Sequence, residues 1–319
     1  MPAAPILVVM PPAPSLPRVV VLLATHNGAR WLDEQLDSIL DQKDVAVRVI
    51  ALDDGSTDTT LDLLRQRAQA NPRLTVLPSA GRAGSAARNF YRLLETAPIE
   101  PDEFVALADQ DDIWELDKLS RHAALLSGGG FDGVSSSVTS FTPDGARTLI
   151  RKDYPQREFD YLLEGPGPGS TFLVTPRLLG LTREALTRTD LDVREVEHDW
   201  FLYALTRMHG LTWHIDSVPS VNYRQHDDNV MGSNHGLTSG IARLKLISNG
   251  WHRRQSALLS RLAVEISPPA ERPELERMHV LLTSSGPKSR LRLAAMAGRL
   301  RRRPRDRGII GILIALGVW

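Results

Sequence analysis

Three apolar stretches of strand length, each followed by a segment with helical spacing, constrain the fold of this chain more than any other sequence feature. They are RVVVLLAT at 18–25, VRVIALDD at 47–54 and FVALAD at 104–109. Continuous apolar runs of this length indicate strands that are buried on both faces of a parallel sheet. A shorter strand is predicted at 74–78, and helices at 30–41, 58–69 and 84–96. This alternation predicts an α/β fold with a mostly parallel sheet flanked by helices.

Polar residues stand at three of the predicted strand exits. His26-Asn27 follows the first strand, Asp53-Asp54 ends the second, and the run from Asp109 to Asp112 follows the fourth. Ligands of open parallel sheets bind at the carboxyl ends of the strands. The sequence therefore predicts one ligand site built from these three exits.

The acidic run Asp109-Gln110-Asp111-Asp112 is the strongest candidate for chemistry. Carboxylates two residues apart on a turning chain can converge on one hard cation, and Mg²⁺ or Mn²⁺ with oxygen ligands would then bridge to a diphosphate. The alternative is an acidic turn that only faces solvent. The residue types alone leave both interpretations open.

The second exit, Asp53-Asp54-Gly55-Ser56, also has two interpretations, and we expect both to hold. A carboxylate there can accept hydrogen bonds from a nucleobase or a ribose hydroxyl, and Ser56 or Asp58 can cap the following helix. The first exit reads THNGAR and lacks the G-x-G-x-x-G pattern, which argues against a dinucleotide-dependent dehydrogenase.

The order ATHNGARWLDEQLDSIL, VIALDDGSTDTT and FVALADQDDIW resembles family 2 glycosyltransferases of the GT-A fold. The likeness covers roughly residues 18–235 and is nearest to the bacterial rhamnosyltransferase-like branch that builds cell-surface polysaccharides. Three motifs in the right order are far more specific than any one of them. The resemblance implies a nucleotide pocket at the first two strand exits, lined by Thr25, His26, Asn27, Asp53 and Asp54, with Asp54 facing the base.

The resemblance also assigns roles to the acidic run. Asp109 and Asp111 match the D-x-D pair, in which the first acid touches the sugar or ribose and the last binds the metal, Mg²⁺ or Mn²⁺. Asp109 is therefore expected at both the nucleotide and the metal, and Asp112 is a further candidate ligand. Late in the chain, His226 is expected to complete the metal shell or to hold the diphosphate, and Arg224 to pair with phosphate. The alternative for His226 is a structural histidine.

Glu197-His198-Asp199-Trp200 resembles the family motif that carries the general base, which would make Asp199 the residue that takes the acceptor proton. Without the motif order, Asp199 reads as an acid favoured by a helix N-terminus. The glycine-rich loop, Gly165 to Thr171, matches the place where the family shapes its acceptor site. Its alternative is a flexible connection.

The expected reaction is metal-dependent, inverting transfer of a sugar from a nucleotide-sugar donor to an acceptor in cell-surface polysaccharide synthesis. The donor is expected to be of the dTDP-rhamnose or UDP-hexose type, and the acceptor a saccharide or a lipid-linked glycan. A phosphoryl-transfer enzyme is disfavoured because no P-loop is present. A non-catalytic nucleotide-sugar-binding or assembly protein at the membrane is the alternative, and it would be expected to have lost the D-x-D pair or the base.

Composition and charge distribution complete the prediction. There is no cysteine, which excludes thiolate chemistry, and the net charge is zero, so no global field attracts nucleic acid. We expect a disordered leader at 1–16, a GT-A domain at 17–235 and a helical region at 236–319. The leader has no signal-peptide pattern, so a cytoplasmic location is expected.

The end of the chain is basic and then apolar. Residues 288–307 hold nine Lys and Arg against one acid, and the apolar stretch 308–319 follows. This pattern predicts docking on an anionic membrane surface, at the inner face of the cytoplasmic membrane, by a segment too short to span it. The alternative is a basic helix packed on the domain, followed by a buried end.

Overall fold

The computed structural model describes residues 15–79, 81–188, 191–226 and 249–319. Most of the predicted leader lies outside these ranges, and so does the predicted domain boundary between residues 235 and 236. The bounds that follow refer to the described parts of the chain.

A seven-stranded, mostly parallel sheet forms the centre of the molecule, with the strand order β10-β6-β9-β4-β1-β2-β3. Strands β1 to β4 are all parallel, and the short β9 runs antiparallel to β4 and β6. The predicted α/β architecture is therefore confirmed. The strands of this sheet are β1 Arg18–Thr25, β2 Ala46–Asp53, β3 Leu74–Val76, β4 Phe104–Ala108, β6 Gly133–Ser136, β9 Leu173–Val174 and β10 Trp213–Asp216.

Strand β1 is buried on both faces, as its apolar run predicts. Val20 and Leu22 pack into one core on one side of the sheet, and Val19 and Val21 pack into a second core on the other side. All four side chains are fully buried. A strand that alternates between two cores must lie between two helical layers.

Six helices pack around this sheet: α1 Leu32–Leu40, α2 Thr60–Ala70, α3 Ala86–Thr96, α4 Lys118–Ser127, α5 Pro176–Leu186 and α6 His198–Met208. The prediction that Ser56 or Asp58 caps α2 is only partly right. The helix begins after Thr59, which makes no side-chain capping bond. Asp58 Oδ1 accepts from the first helical amide, Thr60 N, at 3.0 Å. Ser56 instead donates to Asp53, because that buried carboxylate needs a donor.

A second sheet of four strands, in the order β5-β11-β7-β8, lies where the central sheet ends. It brings distant parts of the chain together, because β11 pairs antiparallel with β5 and parallel with β7. Its strands are β5 Ile113–Trp114, β7 Val138–Phe141, β8 Arg147–Ile150 and β11 Val221–Arg224. The β5–β11 pairing carries the residues after β11 back to the acidic run that precedes β5.

The C-terminal region is helical, as predicted. It contains α7 Trp251–Ile266, α8 Arg272–Thr283, α9 Pro287–Ala295, α10 Ala297–Leu300 and α11 Pro304–Leu316. In the described ranges, no helix is both long enough and apolar enough to cross a bilayer.

The apolar end of the chain has a buried face and an exposed face. Ile310, Ile314 and Trp319 are 3%, 1% and 7% exposed and belong to the same core as α3 and α6. The indole Nε1 of Trp319 donates to His252 Nδ1 at 2.8 Å. Trp319 is therefore packed inside the protein, and its polar atom has an internal partner. Ile312 on the opposite face is 61% exposed.

Two isoleucines of α11 provide a matched pair for testing this packing. Ile314→Ala should lower the free energy of unfolding by about 2–5 kcal/mol because it leaves a cavity in a filled core. Ile312→Ala should change it by less than about 0.5 kcal/mol because the side chain is exposed. Urea denaturation of both variants measures the difference. Equal effects would contradict the burial of Ile314.

Candidate active site

The exits of β1 and β4 are joined by the side chain of Gln110. Its Oε1 accepts from His26 N at 2.8 Å, and its Nε2 donates to His26 O at 2.9 Å. Gly28 makes this possible, since a Cβ atom there would lie 2.2 Å from Gln110 Cδ. Sequence analysis missed Gln110, although an amide within an acidic run is the available signal. One side chain thus fixes the first strand exit against the acidic run.

Asp53 is buried at the exit of β2, and donors of the chain itself surround it. Its Oδ1 accepts from Thr25 Oγ1 at 3.0 Å and from Ser56 Oγ at 2.5 Å. Its Oδ2 accepts from Ser56 N at 2.8 Å. Asp53 therefore fixes the turn after β2 against the end of β1.

Asp54 organises the loop that precedes α3. Its carboxylate accepts from Gly84 N at 2.9 Å and from Ala83 N, and Arg92 lies 3.8 Å away. His26 Nδ1 lies 3.1 Å from the carbonyl oxygen of Asp54.

Asn27 links the first exit to the turn after β2. It has a positive φ of 51°, and its side-chain oxygen accepts from Thr57 N at 2.8 Å. The structure thus brings together the five residues predicted to line the nucleotide pocket at the first two strand exits. Contact of Asp54 with a base stays a prediction.

A cavity of about 240 Å³ opens beside these exits. The Asp53 carboxylate and the Arg65 guanidinium line part of this cavity, and most of the other lining side chains are apolar. This combination suits a flat heterocycle with polar edges. The lining residues are Asp53, Leu61, Arg65, Val76, Leu77, Pro78 and Ser79.

Asp112 points into the protein interior. It is fully buried, and its Oδ1 accepts from Arg224 N at 3.2 Å. Burial, followed by the charges of Asp111 and Asp109, raises the pKa of Asp112 well above its usual value. Among the candidate ligands of the acidic run, Asp112 is therefore the one that anchors β11.

Asp111 faces the open side of the turn and meets His226. Its Oδ2 lies 2.8 Å from His226 Nε2, and the two side chains are 20% and 11% exposed. The imidazole stacks on Trp31 at 4.0 Å between ring centroids. Residues 115 positions apart are brought together because β11 pairs with β5.

Arg224 stabilises the same turn. Its Nε donates to Asp111 O at 2.8 Å, its guanidinium pairs with Glu34, and it lies 4.7 Å from the ring centre of Phe141. The predicted pairing of Arg224 with phosphate stays a prediction, since the structure shows the guanidinium bound to protein groups.

The residues present fit a divalent cation. Among the described residues, no three His, Asp or Glu side chains converge into a ready-made metal group, so Asp109 does not complete a triad with Asp111 and His226. The Asp111–His226 pair alone offers an oxygen and a nitrogen 2.8 Å apart. Octahedral ligands at about 2.1 Å from an ion lie about 3 Å apart, and Mg²⁺ sites commonly use one or two protein ligands plus water and phosphate.

Three acids in the acidic run and at the start of α6 have raised pKa values. Burial, with the charges of Asp111 and Asp199, raises the pKa of Asp109 to about 7. Burial raises the pKa of Asp199 to about 6. Burial and the charge of Asp199 raise the pKa of Glu197 to about 7. The charge of Asp199 acts on Asp109, which places the first turn of α6 near the acidic run.

The segment before α6 is fixed from inside the domain. Tyr91 Oη donates to Val196 O at 2.9 Å. His198 stacks on Phe90 at 4.1 Å, and burial lowers the pKa of His198 to about 3, so its ring is neutral. Asp199 lies in the first turn of α6. The helix N-terminus favours its anionic form.

Lys118 is the most unusual residue near the site, and sequence analysis missed it. The side chain is fully buried at the start of α4, with its Nζ 3.0 Å from the ring centre of Trp114. Burial lowers the pKa of Lys118 well below its usual value, opposed by the charges of Asp112 and Asp109. Its position six residues after the acidic run is the only signal the sequence offers.

These observations place a cavity lined by Asp53, the Asp111–His226 pair and the half-buried Asp199 at the carboxyl edge of the central sheet. The family model for Glycosyl transferase family 2 matches residues 20–188, more than half of the chain. The chain therefore belongs to glycosyl transferase family 2, and it is a glycosyltransferase. Asp199, Arg224 and His226 lie beyond the matched span.

Two relatives indicate the branch. Over 235 residues the chain is 35% identical to the dTDP-rhamnosyl transferase RfbG of Shigella flexneri. This alignment covers 73% of this chain and 81% of RfbG. Over 111 residues it is 35% identical to the putative teichuronic acid biosynthesis glycosyltransferase TuaG of Bacillus subtilis, covering 34% of this chain and 42% of TuaG. The predicted likeness to rhamnosyltransferases is thus confirmed.

Solved structures share the fold at low identity. The S. aureus TarS 1-349 complex with UDP-GlcNAc aligns with a TM-score of 0.60 and 14% identity, covering 94% of this chain and 81% of that one. The mannosyltransferase PcManGT from Pyrobaculum calidifontis, in complex with GDP-Man and Mn²⁺, aligns with a TM-score of 0.52 and 20% identity, covering 96% and 81%. The predicted GT-A type of fold is confirmed by these neighbours.

Proposed function

We propose that this glycosyltransferase transfers rhamnose from dTDP-rhamnose, with inversion and with a divalent metal, to a saccharide or lipid-linked acceptor in cell-surface polysaccharide synthesis. The observation that carries the proposal is the pairing of Asp111 with His226, whose oxygen and nitrogen atoms could both bind a metal ion. Asp109 and Asp199, two acids with raised pKa values, belong to the same site. RfbG, a dTDP-rhamnosyl transferase, supports the choice of donor. A UDP-hexose is the second candidate donor.

Asp111 and His226 would hold Mg²⁺ or Mn²⁺, which when bound supplies positive charge for the leaving diphosphate. The nucleobase of the donor would enter the cavity beside Asp53, and Asp54 would face the edge of that nucleobase. Asp109 would face the ribose or the sugar. The acidic run has a surplus of carboxylates, so the diphosphate requires the cation to bind there.

Asp199 would act as the general base. A carboxylate with a pKa of about 6 is mostly ionised at neutral pH, yet it is more basic than an ordinary aspartate. It would take the proton from the acceptor hydroxyl as that oxygen attacks the anomeric carbon and the bond to the diphosphate breaks. One displacement of this kind inverts the centre and forms no covalent enzyme intermediate.

A non-catalytic binding protein is the alternative, and the site disfavours it. Such a protein would be expected to have lost the D-x-D pair or the base. Asp109 and Asp111 are both present in the sequence, and the raised pKa of Asp199 supports a role as base.

The metal is tested by calorimetry with dTDP-rhamnose in the presence and absence of Mn²⁺. We expect binding to depend on Mn²⁺ and Asp111→Ala to weaken it by at least about tenfold, as ligand-shell losses do. Asp41→Ala, an exposed acid outside the site, is the matched control and should bind normally. Equal binding by Asp111→Ala, or by wild type in EDTA, would remove the metal from the proposal. A parallel titration with UDP-glucose separates the two donor classes.

The base is tested by the pH dependence of dTDP release. Because Asp199 must be ionised to accept a proton, turnover should rise with pH and level off above about 6, following its pKa. Asp199→Asn should lower turnover by about 10²–10⁴-fold at every pH while nucleotide affinity is kept. Glu195→Gln, an exposed acid of the same segment, serves as control. Turnover that survives in Asp199→Asn and falls in Glu197→Gln would transfer the role to Glu197.

We further propose that the enzyme is cytoplasmic and docks on the inner face of the membrane through the outer faces of α9 and α11. Ile309, Ile312 and Leu316 are 48%, 61% and 69% exposed along one side of α11. Arg303 and Arg305 are exposed at its start. Apolar side chains beside several cations fit an anionic lipid surface, where each cation contributes about 1 kcal/mol.

Co-sedimentation with vesicles tests this docking without removing the buried face of α11. The double variant Ile312→Ser/Leu316→Ser should bind anionic vesicles at least about tenfold more weakly and keep its thermal stability. Leu149→Ser, equally exposed on β8, is the matched control. Equal binding to anionic and neutral vesicles would rule out this docking surface. Unchanged vesicle binding by the double variant would rule it out as well.

A further inference from the structure

The glycine-rich loop packs directly on the first turn of α6. A Cβ atom at Gly169 would lie 2.6 Å from His198 Nε2 and 3.5 Å from Asp199 Cβ. A Cβ atom at Gly165 would lie 3.5 Å from Trp200 Cα. The loop backbone therefore contacts the residues on both sides of Asp199, and the shape of the loop fixes the space in front of this acid.

Two buried cations hold this loop at its two ends. Lys118 Nζ donates to Ser170 O at 2.5 Å, and Arg302 Nη2 donates to Gly165 O, also at 2.5 Å. Lys118 is fully buried and Arg302 is 4% exposed. The two come from opposite directions, one from the start of α4 and the other from the segment between α10 and α11.

Arg302 is held in turn by two acids that precede the loop in the chain. Its Nη1 donates to Asp160 Oδ2 at 3.4 Å, and its backbone amide donates to Glu164 Oε1 at 2.6 Å. Asp160 is fully buried and also accepts from Tyr203 and Arg207 on α6. The Arg302 fork thus spans a fixed acid and a loop carbonyl, a geometry that lysine cannot reproduce.

Buried cations are costly unless each donor finds a partner, and a bond from a cation to a carbonyl is strong. The loop reads Gly-Pro-Gly-Pro-Gly-Ser-Thr, so its two prolines fix their own φ angles while its three glycines leave the peptide planes between them free to turn. Fixing the carbonyl oxygens of Gly165 and Ser170 therefore orients the peptide planes at both ends of the loop.

We propose that Lys118 and Arg302 are positioning residues that form a two-point clamp on the glycine-rich loop and thereby set the acceptor side of the site. The inference rests on the proposed function, in which Asp199 activates the acceptor. Lys118 ties the loop to the acidic run, since it lies against Trp114 of β5. Arg302 ties the loop to the C-terminal helices. The clamp acts on the acceptor side and leaves the nucleotide cavity unchanged.

The test compares Lys118→Met and Arg302→Met with Lys43→Met and Arg277→Met, which change exposed residues. Hydrogen–deuterium exchange should be about tenfold faster at residues 165–171 in the two clamp variants, and unchanged in the controls. Release of dTDP from dTDP-rhamnose, with octyl rhamnoside as the acceptor probe, should fall about 10²-fold. Binding of dTDP with Mn²⁺ to Arg302→Met should match wild type.

Arg302→Lys separates positioning from stability. Lysine keeps the charge beside Asp160 and should restore much of the melting temperature, but it loses the second donor to Gly165 and should leave exchange fast and turnover low. Turnover that recovers together with the melting temperature would overturn the clamp, and so would unchanged exchange in both Met variants. If a Met variant does not fold, Arg302→Lys and Lys118→Arg decide the same question. Failure of the wild-type protein to bind dTDP would refute the proposed function. Hydrogen–deuterium exchange at residues 165–171 would still test the clamp in that case.

Discussion

The parallel register of β1 with its two neighbours is the constraint on which the site depends. Thr25 pairs with Asp53 across β1 and β2, and Leu23 pairs with Ala108 across β1 and β4. All three strands therefore end at one edge of the sheet. Because β1 is buried on both faces, a slip in this register would disrupt two cores at once. The cavity beside Asp53, the position of the Asp111–His226 pair and the turns after β1 and β2 follow from that alignment.

Charge is the second organising element, since the site gathers more carboxylates than it neutralises. Asp53 is satisfied by hydroxyl and amide donors, and Asp112 is held in the interior. Burial and the charges of Asp111 and Asp199 raise the pKa of Asp109, and the charge of Lys118 opposes this. An arrangement of this kind gains from a cation and repels a bare diphosphate. Under the proposed function, the metal would therefore bind with, or before, the nucleotide sugar.

The sequence predicted those parts of the fold and site that depend on local pattern. Apolar runs placed the strands within one or two residues, and motif order placed the nucleotide residues and Asp199 around one edge. The features it missed depend on contacts between distant segments. Gln110, Lys118 and Arg302 act through backbone atoms far away in the chain, and no spacing rule encodes such bonds. The internal partner of Trp319, His252, was hidden for the same reason.

The matched family span ends at residue 188, before Asp199 and before the C-terminal helices. In the structure, however, these helices contact the residues that precede α6 and the residues that precede the glycine-rich loop. Gln255 Oε1 accepts from Glu197 N at 3.0 Å, and His252 Nε2 lies 3.0 Å from Leu163 O. The same helices expose an apolar and basic outer face. The matched span contains the glycine-rich loop and Lys118, whereas Asp199 and Arg302, which contact that loop, lie beyond it. The proposed acceptor side is therefore built from both parts of the chain.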